Sequence, residues 1–467
     1  MKAAPESTLR ETFDPPSREK ELLEHAGRLV ERSIAGGADE AEAIATRSES
    51  IAVSFEKGDL KLTTVDSQSS YGVRAFLGKR LGFASTNQSD EASLATCGAD
   101  ALTLARMSPP DDANALPAAL PLDERPSLVD PSLAEVPIEE AVRLARELVD
   151  RTLATDPRLS VDRASLEVGR SSVAIRSSAG VRAAESDALI SLSLFGMAVD
   201  GEDVGGFDIW AGCVRELSRV EACIDEVVQR FTRTALGNLG ATRGESYRGP
   251  VLFSPSAFLD VFIAPLVAAA SSIAVQRGRS ALAGKLGEIV ADPALEIRDD
   301  PSDVVLAGAG RFDREGVPAR PYDLVREGRL AGYLYNAYSA RVEGRESSGH
   351  ATGGARSVPG LGPHALDVAA GSDGSAGEML SKLGKGLYVQ RFSGTVDSAS
   401  GDFSGVAKAA RWVEGGEVVR SVREVLMSGN AFELVRSLAA LSGSRVIVMG
   451  SARVPWALVD GVTVTAG

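Results

Sequence analysis

Histidine and cysteine are scarce in this chain, with three of each among 467 residues. Cys97, Cys213 and Cys223 exclude a disulfide scaffold, and the last two lie too far apart for CxxC redox chemistry. They read as small hydrophobes in a reducing compartment. His25, His350 and His364 cannot form HExxH or a similar zinc pair on one helical face. A basic excess is also missing. Lys and Arg number 50 against 64 Asp and Glu, a net charge of −14, which argues against direct nucleic-acid contact. One long apolar run occurs, Phe258–Val275, and Asp260 and Pro265 interrupt it. A buried helix suits it better than a membrane span. Met1–Lys20 has no apolar segment, so no secretory signal is expected and the protein is expected in the cytoplasm.

What is present is an ordinary globular composition, 44% hydrophobic and 24% charged, with length for two or three domains. Residues 1–17 read as a flexible N-terminus. The next part, 18–240, carries a repeat. Arg18–Ile34 has helical apolar spacing and stops at Gly36-Gly37. Alternating runs follow at Ile51–Phe55, Leu60–Thr64, Tyr71–Leu77 and Arg80–Ser85, with turns at Lys57-Gly58-Asp59 and Gly78-Lys79. A helix over Glu91–Arg106 closes the module. After a Pro/Asp/Ala-rich linker, 108–136, the order recurs. A helix over Ile138–Leu153 precedes strand candidates between Ser165 and Gly212 and a helix over Leu217–Leu236. Ser50-Ile51-Ala52-Val53 and Ser172-Val173-Ala174-Ile175 stand 122 residues apart. The modules, about 18–107 and 137–236, therefore read as one helix–strand meander–helix unit used twice.

A boundary is expected near Gly237–Gly249, and 245–467 as a second domain. Hairpins dominate it, with turns at Glu327-Gly328 and Gly415-Gly416. Strands are expected at Leu330–Tyr335, Val406–Glu414 and Glu417–Val425 among others, and a helix at Asn430–Leu441. The fold class is thus α+β, two-domain, with duplicated N-terminal modules and a mainly antiparallel β C-terminal domain with helices.

No complete reactive constellation emerges. Gly360–Ala365 matches GxGxxA, but Pro359 and Pro363 remove backbone donors a dinucleotide would need. There is no GxSxG elbow; Gly401–Gly405 places its Ser and Gly differently. Asp299-Asp300 and Asp313 could be paired carboxylates, although Asp299-Asp300-Pro301 reads more simply as a turn. Glu346–His364 is a long Gly- and Ser-rich loop holding two of the three histidines. It is either a plain surface connection or a segment that puts His350 on the wall of a binding groove. His350 and His364 lack an evident third partner for a metal.

Several stretches, taken in order, resemble the TldD/PmbA family, also called the modulator of DNA gyrase family. They include Tyr71–Phe76 with Gly78–Thr86, Gly284–Gly287, Asp299-Asp300-Pro301, Gly310–Asp313 with Glu315–Pro318, and Gly328–Tyr335. Ser347–Ala351, Gly386–Val389, Gly401–Ser404 and Ser428-Gly429-Asn430 continue the series. In that family one kind of subunit, the TldD type, carries HExxxH on a helix just after a strand, and a cysteine near its C-terminus completes a zinc site. The PmbA (TldE) type lacks these residues. Here the helix after Val251-Leu252-Phe253 has no His, Glu or Cys between Ser256 and Val275, and no cysteine follows Cys223. A catalytic zinc needs three protein ligands, so the chain resembles the PmbA type.

The resemblance implies a subunit that is not catalytic alone and holds no metal. It implies a heterodimer with a zinc-bearing TldD-type partner around a channel that admits extended peptides, with self-pairing when the partner is missing. Glu346–His364 is the expected chamber-facing segment, and Arg311, Tyr338, Ser348 and His350 are the peptide-binding candidates. The alternatives are a stand-alone non-zinc hydrolase or amidase, and a regulatory protein acting on a topoisomerase.

Overall fold

The structure is a computed structural model that describes residues 13–467. The flexible N-terminus expected over 1–17 thus lies largely outside the described residues, and a helix already begins at Pro15.

The first module runs α1 (Pro15–Ala35), β1 (Glu40–Glu56), β2 (Asp59–Leu77), β3 (Arg80–Thr86) and α2 (Glu91–Met107). The second runs α3 (Ile138–Thr155), β4 (Leu159–Ser177), β5 (Arg182–Asp200), β6 (Asp208–Val214) and α4 (Val220–Gly237). The two modules share one antiparallel sheet, ordered β3-β2-β1-β4-β5 with β6 on the far side of β5. The equivalent strands β1 and β4 meet at its centre, Ser50 opposite Gly169.

The strands are longer than the alternating runs suggest. Leu60–Thr64 and Tyr71–Leu77 are one strand, β2, and the runs within Ser165–Val199 merge into β4 and β5. The stretch Val65–Ser69 between the two runs buries no side chain and so shows no alternation. It stays extended because β1 pairs with it throughout, Val65 opposite Ile51 and Ser69 opposite Arg47. Lys57 (φ 52°) with Gly58 (φ 85°) turns β1 into β2, and Gly78 (φ 57°) with Lys79 (φ 63°) turns β2 into β3. Two successive left-handed residues give a hairpin turn whose twist matches the strands.

One face of this sheet is covered by the helices. Ile51, Val53 and Phe55 pack there with Leu144, Leu148 and Ile224. The opposite face carries Ile44, Ile175 and Ala183 and packs on Phe312 and Ala355 of the C-terminal part. Alternation along β1 therefore sends odd residues to the helices and even residues to the second domain.

That domain is built on a fourteen-stranded sheet. Besides two two-residue strands, Thr242–Arg243 and Arg329–Leu330, its strands are β7 (Tyr247–Phe253), β8 (Ile297–Asp299), β9 (Tyr322–Arg326), β10 (Leu366–Val368), β11 (Lys385–Val389), β12 (Arg391–Val396) and β13 (Asp402–Lys408). They continue with β14 (Ala410–Glu414), β15 (Glu417–Arg423), β16 (Val425–Asn430), β17 (Leu438–Val448) and β18 (Ala452–Ala466). The 15-residue β18 organises it, pairing with β7, β10, β16 and β17. Two expectations fail here. The helix expected over Asn430–Leu441 covers only Ala431–Leu434 plus one tight turn, and Leu438 and Leu441 lie on β17. Leu330–Tyr335 is mostly irregular, with strand only at Arg329–Leu330. The apolar run after β7 is buried. It is helical over 255–269, with a π-helical segment at Leu259–Ile263, and after a break at 270–271 a short helix covers Ser272–Gln276. Among the described residues, no helix is long and apolar enough to cross a membrane.

Candidate functional site

The helical run 255–269 turns most of its surface into the core. Phe258, Val261, Phe262 and Ile263 are almost fully buried. Asp260, Ala264 and Ala268 are the exposed residues of the run and Ser256 is half-exposed, so one side faces outward at helical spacing. That side opens, through Ser256 and Asp260, on a cleft of about 930 Å³ between the two domains.

Both domains contribute walls. From the N-terminal domain come consecutive residues of β6, Ile209 to Val214, and the outer face of α4. From the C-terminal domain come Tyr388, Gln390 to Phe392, the end of β17 from Arg445 to Val448, and Trp456. Consecutive residues of a strand line a cleft when the strand's edge, not one face, is turned to it. Among the described residues β6 pairs only with β5, and β17 only with β18. Each thus leaves one backbone edge without a strand partner.

The cleft's chemistry is apolar with a few charges. Trp210, Trp456, Ile447, Val305 and Met449 supply the apolar surface. Asp260 hydrogen-bonds to nothing among the described residues; the crowding around it raises its carboxyl, with Arg391 opposing. Cys213 and Cys223 also line the wall. Burial lifts both thiols, Cys223 to about 12, so neither is a thiolate nucleophile at neutral pH. Facing residues Ser256, Asp260, Ala264 and Ala268 offer a single carboxylate, which does not fit a zinc ion. No group of three or more His, Cys, Asp or Glu that could hold a metal occurs among the described residues.

The residues singled out from sequence lie elsewhere and do not form one surface. Arg311 clamps Glu185 of β5 across the domain boundary, its Nε 3.0 Å from Oε1 and its backbone N–H 3.0 Å from Oε2. It borders a separate, smaller pocket of about 460 Å³. Tyr338, on the short helix Ala337–Val342, donates to Asp111 of the linker at 2.8 Å. Ser348 and His350 do meet, with Ser348 Oγ 2.8 Å from His350 Nδ1, and His350 Nε2 lies 3.1 Å from Asp299 Oδ2. The trio has the composition of a hydrolytic triad but not its access. His350 is 1% exposed, and Ser348 Oγ also accepts from the Tyr335 amide at 2.8 Å. Asp299 receives the amides of His364 and Ala365. Burial would raise its carboxyl, but His350 and His364 hold it below its ordinary value.

The loop Glu346–His364 is wedged between the domains. Arg356 Nε donates to Ser70 Oγ at 3.1 Å, and a Cβ on Gly72 would stand 2.1 Å from the Ala355 carbonyl oxygen. Beside it, Glu42 of β1 is buried among Arg74 and Arg314. None of the loop's residues borders the large cleft. The cleft itself escaped sequence reasoning because its walls come from seven separate stretches of chain without a titratable motif. The available signal was that Phe258–Val275, set directly after a strand, carries Asp260 in an otherwise apolar run.

Comparison with known proteins returns one family over most of the chain. The profile of the PmbA/TldA metallopeptidase domain 1 matches residues 41–105, that of the central domain 131–239, and that of the C-terminal domain 246–466. The chain belongs to the PmbA/TldD metallopeptidase family. It is 27% identical over 426 residues to Metalloprotease PmbA of Escherichia coli O157:H7, covering 91% of this chain and 92% of that one. It is 24% identical over 415 residues to a Metalloprotease TldD homolog of Haemophilus influenzae, covering 85% and 84%. The fold matches the crystal structure of TldE from Thermococcus kodakarensis with a TM-score of 0.86 at 22% identity, covering 94% of this chain and all of that one. A Thermotoga maritima protein described as a modulator of a DNA gyrase matches with a TM-score of 0.84 at 23% identity, over 95% and 99% of the two chains.

Proposed function

We propose that this chain is the non-catalytic, PmbA/TldE-type subunit of a heterodimeric zinc metallopeptidase that cleaves unfolded or extended peptides in the cytoplasm. Its partner is a TldD-type subunit, which carries the zinc and the hydrolytic chemistry. The observation that carries this reading is the outward side of the helical run 255–269. It lies beside the interdomain cleft, directly after β7, and presents Ser256, Asp260, Ala264 and Ala268 where three metal donors would be needed.

Two features support an extended peptide as the cleft's occupant. The unpaired edges of β6 and β17 both border it, and a strand edge binds an extended backbone with little regard to sequence. The apolar walls exclude water, which strengthens those hydrogen bonds. The buried Ser348–His350–Asp299 cluster gives no support to a stand-alone serine hydrolase, since its serine is already engaged by backbone. The net charge of −14 speaks against direct action on DNA.

The test is binding of a fluorescent, unstructured peptide to this chain, alone and with a TldD-type subunit from the same source. N-methylation of alternate peptide nitrogens should weaken binding about tenfold, while exchanging single side chains changes it little. Equal binding of the N-methylated peptide rejects strand pairing.

A further inference from the structure

Six arginines line the interdomain cleft. Five are neutralised at close range: Arg219 by Glu216, Arg230 by Glu226, Arg391 by Asp208, Arg445 by Asp367 and Arg453 by Asp303, at 2.6–3.1 Å. The sixth, Arg233 on α4, is exposed and has no hydrogen bond or ion pair among the described residues. This is a chain in which carboxylates outnumber cations 64 to 50, so an unmatched guanidinium in this cleft is not a matter of supply.

We infer that Arg233 is the residue of this cleft that binds a carboxylate of the extended peptide, and so sets a preference for peptides carrying one. The inference rests on the peptide reading above and adds a specificity to it. Arg233 follows Arg230 by three residues, which places the two on one side of α4. Arg230 is held by Glu226 and lies over the Trp210 ring, its Cζ 5.4 Å from the centroid. Arg233 is left to face the bound chain. Tyr388, whose hydroxyl accepts from Trp456 Nε1 at 3.3 Å, lines the same cleft. A guanidinium presents a planar fork that a carboxylate meets with two parallel hydrogen bonds. A concave site with apolar walls screens that pair less than open solvent does. The carboxylate can be an acidic side chain or a free C-terminus, and the two share the chemistry of recognition.

The experiment measures anisotropy of labelled unstructured peptides with the full chain in complex with its TldD-type subunit. One peptide pair differs by Glu against Gln at a central position, the other by a free against an amidated C-terminus. The wild type should bind the carboxylate member of at least one pair about tenfold tighter, and the pair that discriminates identifies the source. Arg233→Gln should remove the difference while binding the neutral peptide as the wild type does. Arg233→Lys should restore part of it. Discrimination that survives Arg233→Gln, or a wild type that binds both members equally, overturns the inference and leaves the peptide reading standing. No binding of any of the four peptides overturns both.

Discussion

Arg314, in the loop after β8, reaches across the domain boundary to place its Nη1 2.8 Å from Oε1 of Glu42 on β1, and the two side chains are 2% and 0% exposed. Arg74 completes the cluster, with Nη2 bonded to Glu42 and, at 2.9 Å, to Glu315. Two guanidiniums and two carboxylates are thus sealed between a sheet and a loop. Burial alone would raise the Glu42 carboxyl, but Arg74 and Arg314 overcome it and hold it below the ordinary 4.5. Removing one member strands the others in a dry site.

Glu42→Ala is therefore expected to cost about 3–5 kcal/mol, read by urea unfolding. Because the folded-state value is depressed, the Glu42 contribution is present above pH 4.5 and is lost as pH falls through the folded value. The variant should lose less stability than the wild type on acidification below that point. An unchanged unfolding midpoint at pH 7 would show that the cluster does not hold the domains together.

Asp313 titrates in the opposite sense. Burial and the neighbouring Glu315 carboxylate push it up to about 8, against the amides of Glu315, Val317 and Ala351 that it accepts. The folded state then keeps a proton that the unfolded state gives up near 3.8. Its contribution is complete below 3.8 and declines as pH rises towards 8. Asp313→Asn should flatten the fall in stability across that interval. A variant with the same pH slope as the wild type places the proton elsewhere.

Gly72 allows the closest approach between the sheet and the wedged loop, since an added Cβ would meet the Ala355 carbonyl at 2.1 Å. Gly72→Ala should lower stability by about 1–3 kcal/mol and speed proteolytic cleavage within 346–364. Gly27→Ala on α1, with open space around the added atom, should do neither. Equal proteolysis of both variants would detach the loop from the sheet.

These effects bear on what the sequence made legible. The repeat, the hairpin turns and the α+β class could be read from it, because Gly58, Gly78, Gly328 and Gly415 mark turns and because the order helix, strands, helix recurs; the 122-residue match does not hold residue by residue, since Val53 faces the helices and Ile175 the second domain. The full length of β2 could not, since Val65–Ser69 pairs only with β1 and buries no side chain, which leaves no hydrophobic alternation to read. Leu434, Leu438 and Leu441 share helical spacing, yet β17 takes the last two because β18 is there to pair with it. Ser348 and His350 were visible as polar residues in a Gly-rich loop. Whether such a loop is exposed or wedged depends on Gly72 and Ser70, nearly three hundred residues earlier. The cleft had no local signature, because the edges of two strands, the outer face of α4 and the plain side of the 255–269 helical run meet there from distant parts of the chain.

The central claim is the division of labour between two kinds of subunit. Native mass spectrometry with metal analysis, on this chain alone and co-expressed with the TldD-type subunit of the same source, tests it most directly. The expected result is a metal-free chain alone and a complex of both subunits holding one zinc for each TldD-type subunit. Stoichiometric zinc on this chain alone, or no complex between the two, would contradict it.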